Sequence, residues 1–396
     1  MASGREVVVL SGVRTAIGDY GGALKDLAPT ELSAQVIREA VKRAKMDARE
    51  VGACVIGNVI HTEAKDMYFS RVAALKGGLP EDSTALTVNR LCGSGLQAIV
   101  SASQMIVLGD ADVAVGGGAE SMSRGGYIMP TLRWGQRMSD GNVIDMMVGA
   151  LTDPFDAVHM GITAENIAEK WKISRAQQDE FSVESHRRAI NAIEKGYFKD
   201  QILPVELKTR KGTTVFDRDE HPRADATLES MAKLRAAFKK DGSVTAGNAS
   251  GINDGAAAVV LMERGAAEKK GLKPMARLVS YGIAGVDPKI MGIGPVPAST
   301  RALAKAGLKV EQMDVIESNE AFAVQALAVT CDLKLDPRKT NPNGGAVGLG
   351  HPIGATGAVL TIKALYELQR TGGKYALVTM CIGGGQGIAA VFERLH

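Results

Sequence analysis

Aliphatic and β-branched runs alternate along this chain with stretches whose apolar positions recur every three to four residues. Glu6-Val7-Val8-Val9-Leu10 reads as a first strand, and Gly255-Ala256-Ala257-Ala258-Val259-Val260-Leu261-Met262 as a long buried one. After Asn89-Arg90-Leu91-Cys92-Gly93-Ser94-Gly95, the positions Leu96, Ile99, Val100, Ser103, Ile106 and Val107 follow at helical spacing and predict one buried helix face. Many such alternations predict an α/β fold with helices layered on sheets.

The pattern repeats itself. A helix through Arg38–Ala44 leads to Val51 and a strand Cys54–Asn58; a helix through Arg301–Gly307 leads to Met313 and a strand Val315–Asn319. Next, Cys92-Gly-Ser-Gly opens a helix ending near Gly109, and Val113-Ala114-Val115 runs into Gly116-Gly117-Gly118. In the same order His351-Pro-Ile-Gly opens a helix ending near Gly372, and Ala376–Met380 runs into Cys381-Ile382-Gly383-Gly384-Gly385. Each half is expected to present a reactive residue at a helix start and a glycine-rich strand end. A period this long is a duplication, not a solenoid.

Residues 121–248 lack the rhythm. Met138, Met146, Met147 and Met160, a helical run near Ala164–Glu194 and a charged segment Lys208–Asp225 mark them as an inserted lobe. The expected organisation is 1–120 plus 249–275 as a first half, 121–248 as the insert and 276–396 as a second half.

Composition narrows the class. The 396 residues are 45% hydrophobic and 23% charged with net charge +3, ordinary for a globular protein of two or three domains and too weakly basic to imply nucleic acid. Cys54, Cys92, Cys331 and Cys381 show no C-x-x-C spacing, so neither a disulfide framework nor a zinc knuckle is expected. Free thiols and a first strand close to the N-terminus predict a cytoplasmic protein without a leader. No apolar stretch reaches the roughly 20 residues of a membrane span.

Cys92 is the leading candidate for chemistry. A cysteine at a helix start faces unpaired N–H groups and the positive dipole end, which predicts a stabilised thiolate; Gly93 and Gly95 are expected to let backbone or substrate approach the sulfur. His351 precedes a proline suited to a first helical turn, and the dipole there disfavours its cation, leaving neutral imidazole as a base. Cys381, ahead of glycines, sits where a ligand can approach inward N–H groups. Asn319, at a strand end, is placed to hold a water or an oxyanion, or simply to cap a turn. His159-Met160-Gly161, Ala246–Gly251 and Met291–Pro295 supply adaptable pocket lining or plain core. A dinucleotide dehydrogenase is disfavoured, because no G-x-G-x-x-G follows the first strand. A zinc hydrolase on Cys92, His351 and Cys381 remains conceivable from these residues alone.

Seven ordered motifs, V-N-R-L-C-G-S-G-L-Q-A, G-G-G-A-E-S-M-S, H-M-G-I-T-A-E-N, T-A-G-N-A-S-G-I-N-D-G-A, N-E-A-F-A, G-H-P-I-G-A-T-G and C-I-G-G-G-Q-G, resemble the thiolase family over nearly the whole chain. Within it the chain is most similar to bacterial acetyl-CoA acetyltransferases and to the β-ketothiolases of polyhydroxyalkanoate synthesis. The resemblance implies a five-layered α-β-α-β-α fold of two duplicated βαβαβαββ halves with an inserted loop domain.

It also implies roles. Cys92 would carry the acyl group, His351 would take its proton, and Cys381 would abstract the α-proton of a second acetyl-CoA or activate CoA. Asn319 would hold a water beside His351, and the N–H groups of Cys92 and Gly383 would form a second oxyanion hole. CoA would meet Arg223 at its adenine, Ser230 and Ser250 along the pantetheine arm, and Leu151, His159, Ala246 and Phe238 along the tunnel. Met160, Met291 and Phe322 correspond to the acyl pocket. The implied partners are acetyl-CoA, short acyl-CoA and CoA as substrates, with no cofactor, no metal, no nucleic acid and no membrane. The implied assembly is a homotetramer, a dimer of dimers. A degradative 3-ketoacyl-CoA thiolase is the alternative, and a non-catalytic acyl-CoA-binding relative would lack one of the three reactive residues. Three departures stand out: Ser318 where relatives usually have alanine, the pair Gly125-Gly126, and Asp66-Met67-Tyr68, read as favouring a broader acyl pocket.

Overall fold

The computed structural model describes residues 4–209 and 212–396; positions 1–3 of the expected first half and 210 and 211 of the expected charged segment lie outside them. The first repeat runs β1 (Val7–Thr15), α1 (Pro29–Arg43), β2 (Ala53–Gly57), α2 (Phe69–Lys76), β3 (Thr84–Val88), α3 (Ser94–Leu108) and β4 (Val113–Ser121). After α4 (Met160–Trp171) and α5 (Arg175–Glu194) it closes with β5 (Asn253–Glu263). The second repeat runs β6 (Ala276–Gly285), α6 (Pro295–Ala306), β7 (Val315–Ser318), α7 (Ala323–Leu333), α8 (Ile353–Thr371), β8 (Tyr375–Ile382) and β9 (Gln386–Arg394).

Hydrogen bonds order the strands β7-β8-β9-β6-β1-β5-β4-β2-β3. Both halves share one wiring. β2 and β4 are parallel, as are β7 and β8. β5 returns antiparallel between β4 and β1, as β9 does between β8 and β6. The antiparallel pairs even slip register at the same point, after Val9 in β1 and after Leu278 in β6. Among the described residues, the pairs Val8–Arg277 and Val9–Ala276 join the two half-sheets.

The repeat is incomplete in one place. Where the first half has β3, the second has a lone parallel bridge between Ile316 and Thr340. The segment before it, Asp336-Pro337-Arg338-Lys339, carries a proline that cannot donate to a ladder, and Lys339 Nζ is spent on the carbonyls of Glu311 and Met313.

Side-chain alternation sets the layers. In β1, Ser11 donates to the Ala40 carbonyl of α1, while the next residue, Gly12, faces Ile362 of α8. In β6, Ser280 donates to the Ala302 carbonyl of α6, while Tyr281 on the other face accepts from Gln104 of α3. Helices α3 and α8 are therefore the middle layer, α1 with α2 and α6 the outer ones. The glycines of β4 lie inside the strand, not at its end. A Cβ on Gly116 would stand 2.8 Å from Ile99 Cα, and one on Gly118 2.9 Å from Ala355 Cα, so their absence lets both middle helices seat on the sheet. This middle position explains why Leu91–Leu108 is apolar over 18 residues, long enough by composition to span a membrane. In this fold most of the stretch is buried, packed on β2, β4 and α8, whereas Leu108 at its end is exposed.

In the insert, the expected single helical run is two helices. Lys172 turns left-handed at φ 55°, and Ser174 restarts the chain with a capping box to Gln177.

Candidate active site

Cys92 lies in the turn between β3 and α3, one residue before the Gly93 N-cap. The turn is tight enough to force Leu91 to φ 44°, an uncommon conformation for leucine. Ser94 pins it, accepting the Arg90 N–H at 2.8 Å and donating to the Leu91 carbonyl at 2.7 Å. The N–H groups of Gly383 and of Cys92 itself are aimed at Cys92 Sγ. They pull the thiol toward ionisation, but burial wins and pushes it from 9.0 up to about 11. The helix start thus does not yield a resting thiolate, contrary to the dipole argument.

The two glycines after Cys92 also serve packing more than substrate approach. A Cβ on Gly93 would stand 2.6 Å from Ile382 Cδ1 of β8, and one on Gly95 2.8 Å from the Ala358 nitrogen of α8. They bring the Cys92 turn onto β8 and bring the starts of α3 and α8 together.

His351 stands just ahead of α8, buried, with its backbone N–H donated to Asn253 Oδ1 at 2.8 Å. Its Nδ1 lies 2.7 Å from Thr356 Oγ1, which gives its own proton to the Pro352 carbonyl. Thr356 must then accept from Nδ1–H, leaving Nε2 with a lone pair. Burial holds the imidazole neutral, lowering it from 6.5 to about 4. Neutral imidazole is as the sequence argues, though burial rather than the dipole is the cause. Thr356→Val should remove the acceptor that sets this tautomer and slow proton transfer to Nε2 about ten- to a hundredfold. In the wild type, the acid limb of any step that uses Nε2 as its base should fall well below pH 6.5, because the imidazole stays neutral until pH approaches 4. A stopped-flow pH profile on both proteins checks both statements.

Asn319 ends the β7 segment. Its Nδ2 points to His351 Nε2 at 3.4 Å and its buried Oδ1 has no protein partner. The neighbouring Ser318 hydroxyl is likewise buried and unpartnered. Cys381, in β8, is fully buried; desolvation first, then the nearby Cys92, push it above the ordinary thiol range. Gly383 follows, where a Cβ would stand 2.8 Å from Met160 Cε and 3.1 Å from Leu91 Cδ1.

Met160, Met291, Phe322 and Cys381 share one apolar cluster, with Phe238 against it. His159 stacks on Phe238 at 4.5 Å between ring centroids, and Phe322 meets Phe238 edge-on at 6.2 Å. Arg223, Ser230 and Ala246 line a groove of about 320 Å³ with His186 and His221. The Ser230 hydroxyl is already bonded to Thr227 as part of a helix cap. Ser250 donates its N–H to the Ala321 carbonyl, next to Phe322. Leu151 packs apart from the Phe238 cluster, with Ile60, Ile353 and Cys92, and its carbonyl accepts the Met160 N–H.

The residue pattern of the thiolase N-terminal domain matches residues 7–265, and that of the thiolase C-terminal domain matches 272–394. The chain belongs to the thiolase family. It is 67% identical over 392 residues to the beta-ketothiolase BktB of Cupriavidus necator, covering 99% of this chain and 100% of that one. It is 50% identical to the acetyl-CoA acetyltransferase of Syntrophomonas wolfei, covering 99% and 100%. Among solved structures, the Bacillus anthracis acetyl-CoA acetyltransferase superposes with a TM-score of 0.97 at 49% identity, covering 99% of both chains. Human mitochondrial 3-ketoacyl-CoA thiolase does so with 0.97 at 46%, covering 100% of both.

Several residues around this thiolase site escape sequence reasoning. Thr356, Asn253 and Glu120 all lie inside motifs that the sequence displays, yet nothing local marks their partners. Of the departures, Gly125 admits Met147, whose Cβ a side chain there would meet at 2.8 Å. Asp66 turns inward to accept from Thr62 and Glu63, whereas Met67 and Tyr68 are each 70% exposed. Neither joins the Met160–Met291–Phe322 cluster. Met67 instead lines a surface cavity of about 560 Å³ that also meets Leu91 and Ala150.

Proposed function

We propose that this thiolase condenses acetyl-CoA with acetyl-CoA or a short acyl-CoA such as propionyl-CoA, and runs the reverse thiolysis, through an acyl-Cys92 thioester. The observation that carries the reading is the convergence of the Cys92 and Gly383 N–H groups on Cys92 Sγ, next to Cys381.

Acylation begins when His351 Nε2 takes the Cys92 proton and the sulfur attacks the acyl carbonyl. The N–H groups of Cys92 and Gly383 stabilise the oxyanion, each worth about 3 kcal/mol in such holes. CoA leaves as a thiolate and takes the proton of Cys381. The Cys381 thiolate then removes the α-proton of a second acetyl-CoA, acidic because sulfur delocalises poorly into the thioester carbonyl. A water held by Asn319 and the protonated His351 stabilise the enolate oxygen. The carbanion attacks acyl-Cys92, and Cys92 departs with the proton returned by His351. Thiolysis runs the steps backwards, with Cys381 activating CoA.

Arg223, Ser230 and Ala246 are assigned to CoA on the strength of their shared groove, with Ser250, His159 and Phe238 along its path inward; Leu151, packed beside Cys92, is assigned by the family resemblance alone. Met160, Met291 and Phe322 are assigned to the acyl group. A homotetramer is supported by the exposed Tyr127, Leu132, Trp134, Met138, Ile144 and Val148 and by the open edge of β3. The likeness to a beta-ketothiolase supports a cytoplasmic role supplying polyhydroxyalkanoate monomers.

The second reading, degradative cleavage of longer 3-ketoacyl-CoA, is favoured by the equally close superposition of a 3-ketoacyl-CoA thiolase. Mass spectrometry of the acyl-enzyme across a chain-length series tests both. The acyl mass is expected on the Cys92 peptide, most for C2 and C3. A maximum beyond C6 supports the degradative reading, and no acyl adduct at Cys92 overturns both.

A further inference from the structure

Glu120, near the end of β4, is a fully buried carboxylate to which the reaction scheme gives no part. Each of its oxygens takes two N–H groups. Oε1 accepts from Ile60 N at 3.0 Å and Asn58 Nδ2 at 3.1 Å; Oε2 accepts from Val59 N at 3.1 Å and Gly354 N at 2.9 Å. These donors come from both halves of the fold. Asn58, Val59 and Ile60 follow β2, whereas Gly354 sits in the first turn of α8, three residues after His351. The fit is close: a Cβ on Gly354 would stand 2.5 Å from Glu120 Oε2. Ile60, itself one of these donors, and Ile353, next to Gly354, share one apolar cluster against which Cys92 packs.

Asp254 on β5 faces Glu120, and burial lifts Glu120 to about 8 against the pull of its N–H donors.

We propose that Glu120 is a positioning residue. Its carboxyl group clamps the start of α8, and with it His351, onto the wall of Cys92. The inference rests on the acyl-Cys92 reading above.

Glu120→Gln keeps the shape, removes the charge and turns an amide NH₂ toward N–H donors. Condensation kcat is expected to fall about ten- to a hundredfold, with KM for acetyl-CoA little changed. Gly354→Ala, which pushes the clamp apart and leaves the carboxyl group in place, should lower kcat in the same way. Unchanged kcat in both variants, or a loss carried by KM alone, overturns the clamp. Should Glu120→Gln not fold, Gly354→Ala alone decides it. Acetyl transfer to Cys92 in the wild type is measured alongside: its absence removes the acyl-enzyme reading itself, whereas its presence with unaltered variants removes only this inference.

Discussion

Cys92→Ala is expected to abolish condensation and thiolysis together, by at least about 10⁴-fold, in a protein that still folds. The loss is total because no other group in the site accepts an acyl chain within reach of the two N–H donors. Cys381, the other sulfur nearby, lies fully buried in β8 and its thiol is harder to ionise. Stability should move little, since Cys92 is only half-buried and alanine fits the same turn. The measurement is turnover in both directions, with circular dichroism as the folding control. Residual acyl transfer near the wild-type rate would assign the nucleophile elsewhere. In the wild type, iodoacetamide should label Cys92 first and acetyl-CoA should protect it; preferential labelling of Cys54 or Cys331 would count against the assignment.

Cys381→Ala should instead split the reaction. Cys92 keeps His351 as its base and both N–H groups, so acetyl-CoA still transfers its acetyl group, slowly because the departing CoA thiolate has lost its proton source. Condensation should fall by about 10³-fold or more, because nothing removes the α-proton of the second thioester. The acetyl-enzyme should therefore accumulate. Stoichiometric labelling of Cys381→Ala by radiolabelled acetyl-CoA, with no acetoacetyl-CoA formed, is the expected result. No labelling would mean that Cys381, not His351, deprotonates Cys92.

Much of this frame is legible in the residue order. Helix starts at Cys92 and His351, and strands ahead of Gly383 and Asn319, follow from periodicity and glycine placement, which are local. The duplicated halves are legible because each repeats the same local pattern. What escapes is set by distant partners. The donors to Glu120 lie about sixty positions before it and 234 after it, so no window contains them. The tautomer of His351 depends on where Thr356 spends its proton, which only the folded turn decides. The ionisation of Cys92 has the opposite sign from the helix-start argument, because burial is a property of both sheets together. The missing strand at Thr340 shows the limit of reading one half from the other: the Lys339 and Thr340 N–H groups turn back to the Asp336 carbonyl instead of extending a ladder.

The shared wiring of the two half-sheets has a consequence for how such chemistry arises. A pair of identical subunits related by a twofold axis offers every residue twice, so it could present two nucleophiles or two bases, never one of each. Once the copies are fused in a single chain, the equivalent helix starts are free to diverge, one toward cysteine and the other toward histidine. The shared wiring keeps the two helix starts at matched positions while their residues differ. The proposed reaction, which needs partners of different kind at matched positions, is open to such a fused chain and closed to the symmetric pair at those positions.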